Sequence, residues 1–290
     1  MAKVWLITGS GSGLGRDIAQ AALEAGDSVV AGARRPEELE ALVKQYGERV
    51  LPVKLEVRDE AQAKAAVQLA VERFGRLDVL VNNAGYGQLA PFEQMKPEDF
   101  QAVFDTCFWG VVYTTRAALP VMRGQRSGRI FQVSSVGGRL TMAGNSPYHA
   151  AKWAVGGFSD SVAMEVAPFG VKVCTLEPGG IRTNWAKRAS QEEMELLPEY
   201  KETVGSRFEM ARALTGREEG DPKRIAALIV RLANAEEVPL RLILGTQAGQ
   251  LVQRVEAARA EEAERFRGLT LSTVFPAVET VPEVERASVK

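Results

Sequence analysis

The sequence predicts a single α/β domain built on one doubly wound parallel sheet, with helices on both faces. Three observations lead to this fold class. Short apolar runs alternate with longer helical patterns between residues 4 and 180, the first run passes through a glycine-rich turn directly into a helix, and later runs end in asparagine or glycine. Successive parallel strands need crossover connections, and right-handed crossovers place helices on both faces of the sheet.

The predicted strands are short and almost wholly apolar, which is typical of strands that are buried on both faces. We place them at residues 4–8, 28–33, 50–57, 79–81, 129–133, 171–176 and 240–244. The predicted helices repeat apolar residues at every third or fourth position. They cover residues 14–25, 37–46, 60–74, 100–122, 148–166, 222–233 and 250–267.

We expect one cofactor-binding and catalytic domain at residues 1–250, followed by a C-terminal helix and tail at 251–290 that pack on the same domain. No repeat and no linker rich in Pro, Gly or Ser divides the chain. Residues 185–220 are polar and rich in Glu and Arg. We expect them to be helical and partly mobile, and to form a lid over a substrate site.

The composition argues against several classes of function. The formal net charge is −1, and the basic residues are scattered among acids, so no nucleic-acid partner is expected. No apolar stretch approaches the about 18 residues of a membrane span, and the first residues do not resemble a signal peptide, so we expect a cytoplasmic protein. Cys107 and Cys174 lie in apolar runs and predict buried, reduced thiols. With a single histidine in the chain, they offer no credible metal site.

A glycine-rich turn joins the first strand to the first helix. It consists of Thr8-Gly9-Ser10-Gly11-Ser12-Gly13-Leu14-Gly15. Glycines let the backbone approach a pyrophosphate, whose charge is attracted by the helix N-terminus. The spacing is a stretched variant of the G-x-G-x-x-G fingerprint, and an ordinary flexible turn is the alternative. The strand before it and the helix after it favour a dinucleotide site, with candidate contacts at Gly9, Ser12, Gly13, Leu14 and Gly15.

The end of the second strand indicates which dinucleotide is bound. A cofactor with a free ribose 2′-hydroxyl favours Asp or Glu there, whereas this chain has Ala33-Arg34-Arg35. A guanidinium binds a 2′-phosphate in bidentate fashion. We therefore expect NADP(H) in preference to NAD(H), with Arg34 as the main contact. The alternative is that both arginines are solvated loop charges.

Ser135, Tyr148 and Lys152 form a second cluster of candidate residues. Tyr148 and Lys152 are four residues apart, so on a helix they share one face. An ammonium stabilises a nearby phenolate and lowers the pKa of the phenol. Tyr148 would then exchange a proton with a carbonyl or alcohol oxygen, to which Ser135 can hydrogen-bond. Taken alone, such a Tyr and Lys would more often be a surface pair.

With both clusters in view, the chain resembles the short-chain dehydrogenase/reductase family. The matching motifs are Thr8-Gly9-x-x-x-Gly13-x-Gly15, Asn82-Asn83-Ala84-Gly85, Ser135, Tyr148-x-x-x-Lys152 and Pro178-Gly179. The resemblance is strong over residues 3–185, extends weakly to about 250, and implies a Rossmann-like fold. The stretches 148–155 and 177–180 are similar to the ketone and aldehyde reductases related to 17β-hydroxysteroid and retinol dehydrogenases.

The resemblance also implies roles. Tyr148 is expected to be the acid/base, Lys152 to lower its pKa and hold the nicotinamide ribose, and Ser135 to orient the carbonyl. Residues expected to lie along the cofactor are Glu56, Asn83, Ala84, Gly85, Pro178, Gly179, Ile181 and Thr183, with the two catalytic side chains Tyr148 and Lys152.

Two positions depart from the family pattern. Glu56 stands where an aspartate usually meets the adenine amine, so the carboxylate is one methylene further out. Cys107 stands where an asparagine usually holds a water that relays protons to the lysine, and a thiol cannot copy an amide. Either a backbone carbonyl near Cys107 keeps that water, or the relay is weakened and turnover is slow.

We expect an oxidoreductase that moves hydride between NADP(H) and a ketone or aldehyde and the matching alcohol, as a homodimer or homotetramer. Its substrate pocket is expected to be mostly apolar. The residues assigned to it are Tyr86, Val136, Leu140 and Trp185, with Met142 and Met194. His149 is expected to have a packing or interface role rather than a catalytic one. The alternatives are a catalytically weak NADP(H) sensor and a non-redox enzyme of the same fold.

Overall fold

A seven-stranded parallel sheet forms the centre of the molecule. Its strands are β1 (Val4–Thr8), β2 (Ser28–Ala33), β3 (Val50–Lys54), β4 (Val79–Asn82), β5 (Gly128–Val133), β6 (Val171–Pro178) and β7 (Arg241–Leu244). They pair in the order β3-β2-β1-β4-β5-β6-β7, and every pair is parallel. The predicted doubly wound sheet is therefore confirmed. The strand order reverses between β1 and β4, where such sheets leave a crevice for ligand.

The computed structural model describes residues 2–185, 189 and 195–275. Its α-helices are α1 (Gly13–Glu24), α2 (Glu40–Tyr46), α3 (Glu60–Phe74), α4 (Pro97–Phe104), α5 (Gly110–Gln125), α6 (Ser146–Val166), α7 (Ser206–Leu214), α8 (Pro222–Asn234), α9 (Thr246–Arg265) and α10 (Arg267–Leu271). None of the helices in these ranges has a stretch long and apolar enough to cross a bilayer.

The sheet separates two hydrophobic cores, because alternate strand residues point to opposite faces. On one face, Trp5 and Ile7 pack with α1 and α8. On the other face, Leu6 and Leu80 pack with α3, α5 and α6. Both cores are covered by helices, which explains why the strands are mostly apolar.

The helix predicted over residues 100–122 is interrupted. A π-helical turn at Asp105–Trp109 separates α4 from α5. At the end of this turn, a Cβ added to Gly110 would lie 2.7 Å from Cγ2 of Val57, so the two segments approach closely. The turn brings Cys107 into a buried position beside the loop that follows β4.

The strand predicted over residues 50–57 is also shorter than expected, because it ends at Lys54. The chain turns immediately after it, with the backbone N–H of Asp59 donating to the carbonyl oxygen of Glu56 at 2.9 Å. Asp59 then caps α3 by accepting hydrogen bonds from the backbone N–H groups of Ala61 and Gln62. This turn places Glu56 at the carboxyl edge of the sheet.

The segment predicted as a lid, 185–220, is described in part, and Met194 lies outside the described residues. Leu197 donates its backbone N–H to Oε1 of Gln94 at 3.1 Å, and the phenol of Tyr200 donates to Oε2 of Glu93 at 2.5 Å. Val204 packs against Gly144. The described part of the segment is therefore tied to the loops that follow β4 and β5.

Contacts within the chain divide it into two units, Met1–Gly249 and Gln250–Lys290. The first unit contains the sheet and all the candidate site residues. The described part of the second unit is helical and largely exposed, and Arg265 stacks its guanidinium on the ring of Phe266 at 4.9 Å. That residues 251–290 pack on the catalytic domain remains a prediction.

Candidate active site

The turn after β1 is shaped by glycines that no other residue could replace easily. Gly9 and Gly13 have φ angles of 69° and 57°, which L side chains rarely adopt. A Cβ on Gly9 would lie 3.0 Å from Cα of Ala84, and one on Gly15 would overlap the amide of Asn83 and the carbonyl of Gly9. The turn therefore lies tight against the loop after β4.

The N-terminus of α1 fits an anionic ligand. Ser12 occupies the N-cap position, but its side chain caps no backbone N–H, and the first turn contains no acidic residue. The first N–H groups of a helix have no partner within the helix. Leu14 is buried beneath the turn, whereas Ser12 is exposed on it. The glycine cradle and these free donors fit the pyrophosphate of a dinucleotide.

Thr8 links the two loops that border the crevice. Its Oγ1 accepts hydrogen bonds from the backbone N–H groups of Asn83 and Ala84, both at 3.0 Å. The side chain of Asn83 returns a bond from Nδ2 to the carbonyl oxygen of Thr8 at 3.0 Å. The sequence motif that contains Asn83, Ala84 and Gly85 therefore lies directly beside the glycine turn.

The arginines after β2 are both exposed, but they differ in their partners. Arg35 forms an ion pair with Glu38, whose carboxylate lies where a Cβ on Gly11 would be. Within the described residues, Arg34 forms no ion pair. It lies near enough to Glu56 to lower the pKa of that carboxyl. Arg34 is therefore the guanidinium that remains available to a ligand at the edge of the glycine turn.

Glu56 already has a cationic partner, which the sequence did not reveal. Nη2 of Arg58 lies 3.1 Å from Oε2 of Glu56, and the backbone N–H of Arg58 donates to Oε1 at 3.2 Å. Burial raises the pKa of Glu56, but the bonds from Arg58 outweigh it, so the pKa is lowered. The carboxylate is thus ionised and oriented at neutral pH.

Ser135, Tyr148 and Lys152 come together at the carboxyl end of β5. Ser135 follows the strand, and its hydroxyl lies close enough to the phenol of Tyr148 to influence the pKa of that phenol. The hydroxyl accepts the backbone N–H of Gly137 at 3.0 Å and donates to the carbonyl oxygen of Pro178 at 3.5 Å. Tyr148 and Lys152 lie in the first two turns of α6, with Nζ of Lys152 at 5.5 Å from the centroid of the Tyr148 ring. The predicted cluster is therefore not a surface pair.

The pKa of Tyr148 is raised, in the direction opposite to the one that the sequence predicted. Burial of the phenol is the main cause, while the neighbouring Ser135 hydroxyl acts the other way. Lys152 is buried too, which lowers its own pKa, and its Nζ donates to the carbonyl oxygen of Val133 at 2.7 Å. In this state, the phenol is protonated at neutral pH.

Cys107 lies behind the loop that follows β4. Its thiol donates to the carbonyl oxygen of Tyr86 at 3.3 Å. A Cβ on Gly85 would lie 3.4 Å from Sγ of Cys107 and 3.6 Å from Nζ of Lys152, so the thiol and the ammonium border the same small space. Burial raises the pKa of Cys107, which leaves a neutral thiol there.

The segment after β6 is held from both sides. The backbone N–H of Gly179, next to Pro178, donates to the carbonyl oxygen of Leu244 at 3.1 Å. Ile181 forms an isolated parallel bridge with Gly220. Thr183 lies over the glycine turn, because a Cβ on Gly13 would lie 3.7 Å from Cβ of Thr183. The segment therefore crosses the crevice from the sheet to the start of α1.

Trp185 was predicted to border a substrate pocket, and the structure places it beside Tyr148. Its ring packs against that of Tyr148, with the centroids 5.2 Å apart and the planes at 55°. Val136 and Leu140 are buried in the loop after Ser135. Tyr86 is half-buried on the loop after β4. Met142 is 42% exposed, which gives it a smaller part in any enclosed pocket than the sequence suggested.

His149 was predicted to have a packing or interface role, but its hydrogen bonds to the loop after β5 were not predicted. Its ring is 4% exposed and lies against the loop after β5 rather than pointing away from it. Nδ1 lies 2.9 Å from the carbonyl oxygen of Gly137, and Nε2 accepts the backbone N–H of Met142 at 3.1 Å. The only sequence signal was its position next to Tyr148.

Comparison with known proteins agrees with this arrangement. The family model described as short chain dehydrogenase matches residues 3–194. A protein named oxidoreductase BOA17, from Botryotinia fuckeliana, is 47% identical over 274 residues, which cover 94% of this chain and 100% of the relative. A 3-ketodihydrosphingosine reductase from Bacteroides thetaiotaomicron is 34% identical over 254 residues, covering 87% of this chain and 89% of the relative.

A solved structure shows the same architecture. A short-chain dehydrogenase from Streptomyces avermitilis superposes with a TM-score of 0.87 at 38% identity, and the match covers 95% of this chain and 100% of that chain. Since the family match spans most of the chain and these relatives align over nearly all of it, the chain belongs to the short-chain dehydrogenase/reductase family of oxidoreductases.

Proposed function

We propose that the protein is an NADP(H)-dependent carbonyl reductase and alcohol dehydrogenase, in which Tyr148 is the acid/base. The observation that carries this proposal is the joint position of Ser135, Tyr148 and Lys152 beside the glycine turn at the switch point of the sheet. The names of the Botryotinia and Bacteroides relatives, an oxidoreductase and a ketone reductase, support it.

Tyr148 is suited to donate a proton. Its raised pKa keeps the phenol protonated at neutral pH, which is the form that a carbonyl oxygen needs as it gains negative charge. The Ser135 hydroxyl, which lies near the phenol, is proposed to hold the same oxygen. When bound, the reduced nicotinamide supplies the hydride. General acid catalysis of this kind typically contributes a rate factor of about 10² to 10⁴.

Lys152 is proposed to act on Tyr148 and on the cofactor ribose. Its ammonium lies over the phenol ring, and a positive charge there favours the phenolate in alcohol oxidation. Its present partner is the carbonyl oxygen of Val133, at 2.7 Å. An ammonium has three donors, so the bond to Val133 leaves donors for ribose hydroxyls.

The proposed preference for NADP(H) rests on charge at the end of β2. Arg34 has no ion-pair partner within the described residues and offers a bidentate site for a 2′-phosphate. Arg35 is partly neutralised by Glu38. Glu56, held by Arg58, is proposed to meet the adenine. The remaining candidate contacts are Gly9, Ser12, Gly13, Leu14, Gly15, Asn83, Ala84, Gly85, Pro178, Gly179, Ile181 and Thr183.

The substrate is proposed to be a largely apolar ketone or aldehyde, or the matching alcohol. Trp185 lies against Tyr148, and Val136 and Leu140 are buried beside Ser135. Tyr86 is proposed to border the pocket from the loop after β4. A pocket of this kind buries most of an apolar substrate and fixes its orientation with few polar groups.

A homodimer or homotetramer in the cytoplasm is proposed as the working form. A groove of about 530 Å³ runs between α5 and α6, with an apolar floor that includes Leu119, Phe158 and Val162. Arg116, Arg123 and Glu165 line it as well. Apolar surface flanked by charge is typical of interfaces, and the helices resemble those that pair in related oligomers.

The proposal is tested by mixing the protein with NADPH or NADH and a panel of aromatic and aliphatic ketones, and following nicotinamide absorbance. We expect ketone-dependent oxidation of NADPH, with a higher kcat/KM than with NADH. Tight NADPH binding without oxidation by any ketone would favour a cofactor sensor instead. Cys107, in place of the relay asparagine, is the observation that favours that second candidate.

A further inference from the structure

The side chain of Asn145 has a buried oxygen that nothing in the protein satisfies. Asn145 is 5% exposed, and among the described residues its Oδ1 has no hydrogen-bond partner. It occupies the N-cap position of α6, yet its side chain caps no backbone N–H. Helix capping therefore does not explain why an amide stands here. The adjacent hydroxyl of Ser146 is also buried without a partner in the same part of the chain.

The Asn145 amide lies at the wall of the substrate pocket. A Cβ built on Gly87 would lie 3.3 Å from Nδ2 of Asn145 and 2.7 Å from Cζ2 of Trp185, so the amide and the indole meet at this glycine. The same indole packs against Tyr148 with the centroids 5.2 Å apart. Asn145, Trp185 and Tyr148 therefore border one space.

A buried amide oxygen without a partner is unfavourable, because its lost hydration is not replaced. Such groups in folded proteins are completed by an ordered water or by a ligand. We propose that the side-chain amide of Asn145, whose Nδ2 lies beside the Trp185 indole, hydrogen-bonds a hydroxyl group of the substrate, so that the preferred substrate is a hydroxy ketone. This proposal rests on the proposed function, since it concerns the same site.

The position of Asn145 limits where that hydroxyl lies on the substrate. Asn145 is the N-cap residue of α6, three residues before Tyr148, and both side chains lie next to the Trp185 indole. A hydroxyl bonded by the amide would therefore lie near the carbonyl that meets the Tyr148 phenol. Ketones with a hydroxyl on the first or second carbon beside the carbonyl are the compounds that test this.

Two pairs of ketones test the proposal, each differing only by a hydroxyl in place of a methyl. The α pair is 2-hydroxyacetophenone and propiophenone, and the β pair is 3-hydroxypropiophenone and butyrophenone. A site built to bond a hydroxyl discriminates strongly against the analogue that lacks it. We expect the protein with NADPH to favour the hydroxy ketone of at least one pair by roughly tenfold in kcat/KM, and to bind it more tightly by calorimetry.

Variants separate recognition by Asn145 from the intrinsic reactivity of hydroxy ketones. In Asn145→Leu, we expect the preference to shrink at least about fivefold, chiefly through KM, whereas Asn145→Gln keeps an amide and should retain part of it. Asn234→Leu is the matched control. Asn234 is exposed beside Lys3 at the opposite edge of the sheet, and its replacement should leave both ratios at the wild-type values.

Two results would overturn the proposal. One is equal kcat/KM and equal calorimetric affinity within both pairs for the wild-type protein, which would mean that Asn145 holds a resident water only. The other is a preference that survives unchanged in Asn145→Leu. If none of the four ketones oxidises NADPH, the proposed function fails instead, and the calorimetric comparison alone decides whether Asn145 recognises the hydroxyl.

Discussion

Nδ1 of the His149 imidazole lies 2.9 Å from the carbonyl oxygen of Gly137. Since Nε2 accepts the backbone N–H of Met142, only a neutral ring with its hydrogen on Nδ1 satisfies both contacts. His149 therefore links Gly137 to Met142 within the loop after β5, which also contains Ser135 and Leu140. Burial lowers the pKa of this histidine.

This relationship predicts a loss of stability in mild acid. The unfolded chain binds a proton on His149 near its ordinary pKa of about 6.5, whereas the folded protein resists protonation down to its lowered pKa. Folding stability is therefore intact above about pH 6.5 and falls as the pH drops through the folded pKa. Thermal melting between pH 5 and 8 measures this. His149→Phe, which has no titrating ring, should lack this component, and an identical pH profile for the variant would refute the assignment.

Replacing Trp185 should affect large substrates more than small ones. The indole packs against Tyr148 and is proposed to border the substrate, so its loss should weaken the binding of an aromatic ketone by about 1–3 kcal/mol. In Trp185→Ala, we expect KM to rise roughly tenfold for a bulky aromatic ketone and to change little for acetone. Trp153→Ala, at a partly exposed position on the outer side of α6, is the matched control. Equal effects on both ketones would mean that Trp185 does not contact substrate.

Arg34 should control the choice between the two cofactors. Removing its guanidinium in Arg34→Ser takes away the contact proposed for the 2′-phosphate, so NADPH should bind at least about tenfold more weakly while NADH binding stays within about twofold. Cofactor fluorescence titration gives both values. Arg35→Ser should have a smaller effect, because Arg35 is already paired with Glu38. If Arg34→Ser lost affinity equally for NADPH and NADH, Arg34 would not be the contact of the 2′-phosphate.

Neither cysteine should react in the folded protein. Burial raises the pKa of Cys107, and burial with the nearby Glu177 charge raises that of Cys174 to about 12. Thiolates are the reactive form, so iodoacetamide at pH 8 should leave activity and mass unchanged until the protein is unfolded in guanidinium. Labelling of Cys107 in the native protein, with loss of activity, would contradict the neutral thiol described above.

The fold follows from local sequence features, but several details of the site do not. Apolar strands and the glycine turn before α1 are local signals, and they sufficed for the sheet and for the cluster of Ser135, Tyr148 and Lys152. The π-helical turn that positions Cys107 arises from packing between segments far apart in the chain. No periodicity in the sequence marks it.

The direction in which the pKa of Tyr148 is shifted was the feature that the sequence predicted least well. The sequence shows a lysine one turn away, which predicts a lowered pKa. The structure adds burial of the phenol, whose ring packs against Trp185, and this burial raises the pKa. Likewise, the carboxylate of Glu56 was visible in the sequence, but its pairing with Arg58 depends on the turn after β3. Burial and partner choice are properties of the folded chain.

Tyr148→Phe tests the central claim most directly, because it removes one oxygen and keeps the ring that packs against Trp185. Single-turnover oxidation of NADPH by a ketone should slow by a factor of about 10² or more, while calorimetric NADPH affinity stays within about threefold and the melting temperature is maintained. A variant that reduces the ketone as fast as the wild-type protein would show that Tyr148 does not supply the proton.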